Sequence, residues 1–174
     1  DPGSPYEIAT AEQFDLMREH LSDHFKLTVD IDLGGSNWEP IGAPGTAFTG
    51  ELDGAGHIIS GLYINSGDSY QGLFGVLSQA SITDLYILDA DITTSAFGAG
   101  VLAGQDGNES TLSHVYVSGQ VEASREVGGL VGSTRRSTIS DSGADVTVRG
   151  TSVGMGEVGG LAGFTESAQI QRSF

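Results

Sequence analysis

The stretch EVGGLVG, residues Glu126–Gly132, returns almost unchanged as EVGGLAG at Glu157–Gly163. Two looser copies precede it, FGAGVLAG at Phe97–Gly104 and YQGLFG at Tyr70–Gly75. The glycines that close the four copies are separated by 29, 28 and 31 residues. Self-similarity at a period of this size is typical of a solenoid, in which each repeat stacks on the previous one. One equivalent leucine from each copy is expected to stack inside it: Leu73, Leu102, Leu130 and Leu161.

Each copy is followed by a second similar segment, which an apolar residue opens. The four opening residues are Ile82, Leu112, Ile139 and Ile170. Inside these segments apolar and polar residues alternate, as at Leu85 and Ile87 and again at Val115 and Val117. A period of two is that of a β-strand, whereas a helix would repeat at three and four. The sequence therefore predicts an all-β fold of stacked strands in which like residues form columns.

The glycine-rich copies and the segments after them resemble the GLUG motif, which recurs in large bacterial surface and secreted proteins. The run VDIDLGGSNWEPIGAPGTAFTGELDGAGHIISGLYI at Val29–Ile64 is similar to the segment that commonly leads into such repeats. The resemblance covers most of the chain. It implies a right-handed parallel β-helix, found in adhesins and in the non-catalytic region of some immunoglobulin A metalloproteases.

Three parts are expected along the chain: an N-terminal linker and capping α-helix over 1–25, the first β-helix rungs over 26–71, and GLUG-type repeats over 72–174. Thr10 and Gln13 form a capping box, and the apolar residues after them fall on one face of a helix of about three turns. A solenoid needs such a cap because its first rung would otherwise expose apolar surface and a strand edge. Leu27–Leu33 alternates as LTVDIDL and is predicted to be the first rung strand.

The composition limits the partners and the compartment. Seven basic residues against 23 acidic ones give a net charge of -16 over 174 residues, so nucleic acids, anionic membranes and acidic glycans are repelled. The chain has no cysteine, which is compatible with a bacterial exterior. No stretch approaches the ~20 apolar residues of a membrane span, and no membrane insertion is expected. The resemblance implies an extracellular protein, secreted or at the cell surface.

Two columns of outward residues are the candidate sites. Tyr86 and Tyr116 alternate with inward residues and are expected to stack on one sheet as an aromatic stripe, against which a sugar ring could pack. Trp38 is expected to pack internally, with a sugar platform as the alternative. A second column alternates in charge: Asp84, His114, Asp141 and Arg172. Proteins with the GLUG motif often show Asn there, so this chain departs from the pattern. We interpret the column as a structural ion ladder, with a metal site or catalytic relay as alternatives.

Other polar residues have simpler structural interpretations. His20 and His24 have a spacing that zinc ligands use, but they lie among charged residues typical of a solvated helix face. Asp30 and Asp32 lack the pattern of a calcium-binding loop, so no cofactor is expected, and both carboxylates are expected to face solvent. The longest polar insert, Gln105–Ser110, is expected to be a surface loop.

These features favour a non-catalytic module of an adhesin-type bacterial protein, acting as a spacer or as a ligand-presenting unit. The alternatives are the substrate-recognition or stalk region of a secreted metalloprotease, and a carbohydrate-active β-helix enzyme. If such an enzyme used a lysine as its base, that lysine would have to be Lys26, the only lysine in the chain. The expected partners are adjacent domains of a longer chain and a neutral glycan or a host or surface protein. The rung that Ile170 opens is broken off at Phe174, so end-to-end self-association through open strand edges is expected as well.

Overall fold

The computed structural model describes residues 4–152 and 156–174, and these form a parallel β-solenoid with one short helical segment near the N-terminal end. Equivalent residues of successive turns lie directly over one another. One such column contains Phe25, Leu52, Ile82, Leu112, Ile139 and Ile170, so five turns separate its ends. The predicted all-β β-helix with a helix at its N-terminal end is confirmed.

Strands of 2 to 14 residues build the turns of the solenoid. The strands are β1 Tyr6–Ile8, β2 His24–Leu27, β3 Ile31–Asp32, β4 Glu51–Asp53, β5 Ile58–Ser60, β6 Tyr63–Ser66, β7 Phe74–Leu77, β8 Ser81–Thr94, β9 Ala103–Asp106, β10 Thr111–Ala123, β11 Val127–Gly128, β12 Val131–Arg135, β13 Thr138–Ser140, β14 Gly143–Gly150, β15 Val158–Gly159, β16 Ala162–Glu166 and β17 Gln169–Gln171. One sheet runs β1-β2-β4-β8-β10-β13-β17, with β3, β5, β6 and β14 joined to it. A second runs β7-β9-β12-β16, and β11 pairs with β15. The interior lies between these sheets.

The interior follows the register that the repeats predict. Leu73, Leu102 and Leu130 are fully buried, and Leu161 is half-buried in the last turn. The pairing of β7, β9, β12 and β16 puts these leucines at equivalent places in four successive turns, so the predicted ladder is confirmed. Buried aliphatic side chains of this size each contribute about 1.5–3 kcal/mol to folding, which makes the inner columns the main source of stability.

The glycines that close the repeats are required by close packing of the backbone. A Cβ on Gly132 would lie 2.5 Å from the backbone nitrogen of Ala99, and one on Gly104 would lie 2.5 Å from that of Gln71. Neither glycine has a positive φ. The motif therefore keeps glycine at these places because neighbouring turns leave no room for a side chain.

The corners of the solenoid are made by residues in the left-handed conformation, which recur in every repeat. One corner column contains Gln79, Glu109, Arg136 and Ser167, with φ between 50° and 55°. A second follows it five residues later in each turn and contains Asp84, His114, Asp141 and Arg172, with φ between 50° and 54°. This conformation costs most residues about 1–2 kcal/mol, whereas Gly, Asn and Asp adopt it more readily. The Asn preference of GLUG-motif proteins at the second column thus has a backbone reason.

The N-terminal cap makes a variant of the predicted capping box, in which the Gln13 side chain bonds to the residue before the N-cap residue Thr10. The Thr10 hydroxyl accepts a hydrogen bond from the Gln13 backbone N–H at 3.2 Å, and the Gln13 side-chain oxygen accepts one from Ala9 N–H at 2.7 Å. Phe14 and Met17 are fully buried beneath it. The cap therefore covers apolar surface at the start of the solenoid.

The cap is shorter than the three turns that the sequence predicts. Helix α1 spans Ala11–Asp15 and tightens into a 3₁₀ turn over Leu16–Glu19. The prediction was wrong because β2 already begins at His24, where the chain must be extended to pair with β1 and β4. His20 and His24 consequently do not share a helix. None of the helices in the two described ranges is long and apolar enough for a membrane span.

The first rung strand is also interrupted. The chain bends between Leu27, where β2 ends, and Ile31, where β3 begins. Leu27 and Ile31 are buried as predicted, but Val29 lies on the bend and is 42% exposed. Alternation of residues over Leu27–Leu33 predicted one straight strand, whereas a solenoid turn needs a corner here.

Candidate ligand groove

The charged column predicted from the sequence lies along one corner of the solenoid. Parallel pairing of β8, β10, β13 and β17 stacks Asp84, His114, Asp141 and Arg172 in four successive turns. His114 Nδ1 lies 3.6 Å from Asp84 Oδ1, and both side chains are more than half exposed. Pairs exposed to this extent are worth at most about 1 kcal/mol. The column is therefore compatible with a structural ladder, and its stabilising effect is small.

The lower half of the column holds a tighter ion pair. Arg172 donates hydrogen bonds from Nε and Nη2 to the two carboxylate oxygens of Asp141. This bidentate contact, with a smaller contribution from His114, lowers the pKa of the Asp141 carboxyl. Asp141 is therefore ionised at neutral pH. In the described residues no group of three or more His, Asp or Glu side chains is placed to hold a metal ion.

The tyrosine pair lies beside this corner. Tyr86 and Tyr116 are paired across β8 and β10, with ring centroids 5.6 Å apart and planes inclined by 19°. This is an offset-stacked arrangement, in which each ring covers part of the other. Tyr86 remains 38% exposed. Phe174 extends the stripe, because its ring centroid is 6.5 Å from that of Tyr116 and its edge occupies the space above Gly143.

The two candidate columns meet in one open groove of about 620 Å³. Tyr86 and Tyr116 line it on one side, and Asp84 and His114 line it at the corner. The remaining lining residues come from the preceding turns: Lys26, Asp53, Ala55 and Gly56. The groove thus combines aromatic rings with hydrogen-bond donors and acceptors.

Lys26 and Asp53 were not predicted from the sequence as site residues. Lys26 Nζ donates a hydrogen bond of 2.7 Å to Asp53 Oδ2 across the β2–β4 pair. This hydrogen bond raises the pKa of the Lys26 ammonium and lowers the pKa of the Asp53 carboxyl, so both groups are charged at neutral pH. The register of the strands could have identified them. Lys26 pairs with Asp53 and Asp53 pairs with Thr83 of β8, so the three residues form one column.

Trp38 lies in a second groove, of about 580 Å³, but its aromatic surface is already in use. Its Nε1–H donates a 3.1 Å hydrogen bond to the Leu73 carbonyl oxygen. One side of the ring packs near Phe14, with centroids 6.0 Å apart, and the Arg18 guanidinium lies 5.5 Å from the ring centroid. The position of Trp38 therefore fits the packing role rather than a sugar platform.

The remaining polar candidates have partners within the fold. Asp30 Oδ1 accepts hydrogen bonds from Ile58 N–H and lies 3.1 Å from His57 Nδ1. Asp32 accepts from the Gly34 N–H, so both aspartates hold turns in place. These contacts give both carboxylates a structural role in the turns.

A buried carboxylate inside the solenoid was missed. Asp106, at the end of β9, is fully buried and accepts a 3.0 Å hydrogen bond from the Thr134 hydroxyl. Burial raises the pKa of the Asp106 carboxyl, while the hydroxyls of Ser137 and Ser110 act in the opposite direction. Gln105–Ser110 is therefore not wholly a surface loop, because Asp106 and Ser110 point into the interior.

Comparison with known proteins finds sequences similar to this chain in small parts of much longer proteins. Halomucin of Haloquadratum walsbyi is 37% identical over 155 residues, which are 79% of this chain and 2% of halomucin. A candidate glycine-rich membrane protein of Evansella cellulosilytica is 40% identical over 110 residues, 58% of this chain and 13% of that protein. The chain thus spans only a small part of these relatives. No family model matches it.

A solved structure has the same fold. The crystal structure of a candidate immunoglobulin A1 protease from Bacteroides ovatus superposes with a TM-score of 0.80, at 22% identity, over 99% of this chain and 67% of that one. Identity this low shows the fold alone. The solenoid and the similarity to parts of longer proteins fit a β-helix module of a larger protein and are compatible with the GLUG resemblance.

Proposed function

We propose that the chain is a non-catalytic, ligand-presenting module of a large secreted or cell-surface protein of the adhesin type. The observation that carries this proposal is the groove in which Tyr86 and Tyr116 meet Asp84, His114 and the Lys26–Asp53 pair. A pure spacer needs no such concentration of aromatic and hydrogen-bonding groups on one corner. A concave surface with a few convergent polar groups is where ligand contacts are expected.

The names of similar proteins support the location. One relative is named as a candidate membrane protein, and the solved neighbour is named as a candidate immunoglobulin A1 protease. Both names fit a place at or outside the cell surface. The high negative charge, with 23 acidic residues against seven basic ones, favours solubility in that setting.

The protonation states in the groove favour binding over catalysis. A glycoside hydrolase needs one carboxyl kept protonated as general acid and a second kept ionised. The hydrogen bond from Lys26 instead lowers the pKa of Asp53, and Lys26 itself is held protonated and so is a poor general base. Asp106, whose pKa burial raises, lies in the interior on β9 and does not line the groove.

The proposal is tested by probing an array of neutral glycans and purified extracellular-matrix proteins with this chain. A variant with Tyr86→Ala and Tyr116→Ala serves as the comparison, and Tyr63→Ala is the control because Tyr63 lies outside the groove. We expect at least one array signal that the double variant loses and the control keeps. Binding that is absent, or equal for all three chains, would refute ligand presentation through this groove.

A second candidate, the recognition or stalk region of a secreted metalloprotease, is favoured by the fold of the solved neighbour. The two candidates differ in the rest of the protein. A catalytic zinc motif elsewhere in the full-length chain would support the protease, whereas further adhesive modules or a surface anchor would support the adhesin.

If the chain is instead a carbohydrate-active enzyme, it should cleave a polysaccharide. The cleavage would be measured as new reducing ends or unsaturated products.

A further inference from the structure

We infer that the groove takes a neutral saccharide, with a sugar ring against Tyr86 and sugar hydroxyls bound by Asp84 and the Lys26–Asp53 pair. This inference rests on the proposed function, since it assumes that the groove is the ligand contact. It goes further by naming the chemistry of the ligand. The reasons lie in the rings, in the balance of charge and in the mixture of donors and acceptors.

The tyrosine pair offers a rigid apolar surface with a polar edge. Tyr116 is stacked at 5.6 Å from Tyr86, which fixes the rings in place before a ligand arrives. A fixed ring loses little conformational entropy on binding. Tyr86 lies at the groove with 38% of its surface exposed, so it can pack against the C–H surface of a pyranose ring. Its phenol oxygen can also hydrogen-bond.

The polar groups of the groove are paired in a way that suits hydroxyl groups. Lys26 Nζ is 2.7 Å from Asp53, and His114 Nδ1 is 3.6 Å from Asp84, so each carboxylate already has a basic neighbour. Asp53 already accepts hydrogen bonds from Lys26 Nζ and from the Ala55 N–H, one on each oxygen, but each oxygen has a second lone pair, and the basic partner in both pairs keeps an N–H donor. A hydroxyl both donates and accepts and can therefore bridge such a pair without disrupting it.

Charged ligands fit the groove less well. An acidic saccharide is repelled by the net charge of -16. A cationic peptide would have to compete with Lys26 and His114 for the same two carboxylates. A neutral polyhydroxylated ligand meets neither obstacle, and the ring surface of Tyr86 adds apolar contact that favours a sugar over a smaller polyol.

The inference is tested by following the ring signals of Tyr86 and Tyr116 by NMR during titration. The probes are methyl glucoside, methyl galactoside, methyl mannoside and the neutral tetrasaccharide cellotetraose, each to about 10 mM, which nearly saturates a site with a Kd of about 1 mM. Tetragalacturonate and tetralysine are the charged comparators. We expect at least one neutral sugar to shift both rings saturably, and neither comparator to do so.

Two variants and one control locate the contact. Tyr86→Ala should weaken binding about tenfold, the effect of losing one aromatic contact. Asp84→Asn should weaken it several-fold while the fold is kept, because Asn tolerates the φ of 51° at this corner. Tyr63→Ala, outside the groove, should bind like the parent chain. Unfolding midpoints of all variants separate lost contacts from lost structure.

The outcomes distinguish the inference from the function beneath it. If no neutral sugar shifts the ring signals, or if Tyr86→Ala binds as tightly as the parent, the saccharide inference is wrong. If tetralysine or an array protein shifts the same rings instead, the groove remains a ligand site and only the ligand class is refuted. If nothing shifts the rings and no array signal depends on them, the proposed function fails as well.

Discussion

Two glycines at the same place in successive repeats should respond oppositely to alanine. Gly129 and Gly160 are the second glycines of EVGGLVG and EVGGLAG, so their neighbours in sequence are nearly identical. A Cβ on Gly129 would meet the Gly160 carbonyl oxygen, and it would lie 2.8 Å from the Cβ of Ala144 and 3.3 Å from that of Val146. A Cβ on Gly160 would have nothing within 4 Å.

The magnitudes follow from these contacts. Overpacking a close-packed interior costs about 1–3 kcal/mol, and Gly129→Ala belongs at the upper end because a backbone carbonyl, not a flexible side chain, obstructs the new methyl group. Gly160→Ala meets no obstruction and does not need a positive φ. It should stabilise the fold by about 0.4–1 kcal/mol, because alanine restricts the unfolded chain. The free energies of unfolding of the two variants should therefore differ by about 2–4 kcal/mol.

Urea unfolding of both variants, followed by far-UV circular dichroism, measures this difference. For a chain of this length, about 1 kcal/mol corresponds to 2–4 °C, so thermal midpoints should differ by about 5–15 °C. Spectra of the folded variants establish that each retains the parent β structure before unfolding. Equal losses for the two substitutions, or a larger loss for Gly160→Ala, would refute the account in which backbone approach between turns dictates the motif glycine.

The corner column tolerates residues that adopt the left-handed conformation, so His114→Asn should leave the unfolding free energy within about 0.5 kcal/mol, while His114→Val should lower it by about 1–2 kcal/mol. Burial raises the pKa of Asp106, so its contribution to stability is present below the unfolded pKa of about 3.9 and is lost as pH rises through the folded value. Asp106→Asn should thus exceed the parent in stability at about pH 7 and lose that advantage at about pH 3, and no change between the two would contradict the buried acid. The chain has 23 acidic residues and seven basic ones, so its carboxylates repel one another and salt screens that repulsion. Raising NaCl from about 0.1 to 1 M should therefore raise the thermal midpoint of unfolding, and a lower midpoint would show that the attraction within ion pairs outweighs the repulsion.

The parts of the fold that were predictable are those that repeat. Closing glycines at 75, 104, 132 and 163 gave the number of residues per turn, and alternation gave the inward side of each strand. Both signals depend on sequence alone because every turn meets nearly the same neighbours. The capping helix and the Leu27–Ile31 bend occur once each. Their conformation depends on the particular strands that they pack against or pair with. Local propensity predicted a longer helix and a straight strand, and pairing of β2 with β1 and β4 overrode it.

The candidate groove was predictable only in its repeated half. Tyr86 and Tyr116 occupy matching positions and could be aligned, but Lys26 and Asp53 belong to turns that lack the glycine motif. The corner after Asp53 is also two residues longer than the equivalent corner in β8, since Asp53 pairs with Thr83 while Ile58 pairs with Tyr86. This insertion places Ala55 and Gly56 at the edge of the groove. Alignment of the later repeats carries no information about it.

The burial of Asp106 was not predicted from the sequence for a related reason. The polar insert around it has the composition of a surface loop, yet register places Asp106 between Leu77 and Thr134 in an inward column. The Thr134 hydroxyl donates a hydrogen bond to Asp106 Oδ2, and the Ser110 and Ser137 hydroxyls, which donate to backbone carbonyls, make its surroundings polar. A carboxyl is tolerated there because the column changes from apolar to polar at this turn. Composition describes a segment as a whole, whereas burial depends on which turn lies beneath each residue.

The separation of inner columns from corner columns explains why a fold of this kind can carry function at a corner. Inward leucines and close-packed glycines determine the register, and they leave the left-handed corner residue constrained in backbone conformation but free in side-chain chemistry. In the column that replaces an Asn ladder, Asp84 and Asp141 adopt the corner conformation readily, whereas His114 and Arg172 adopt it at some cost and each lies beside an aspartate. A corner can therefore change its ligand chemistry over several turns without loss of the solenoid. The groove lies where such a corner meets the only stacked tyrosine pair in the described residues. Variants of Tyr86 and Asp84 change this groove and therefore test function. The Gly129 variant changes the packing between turns and therefore tests the fold.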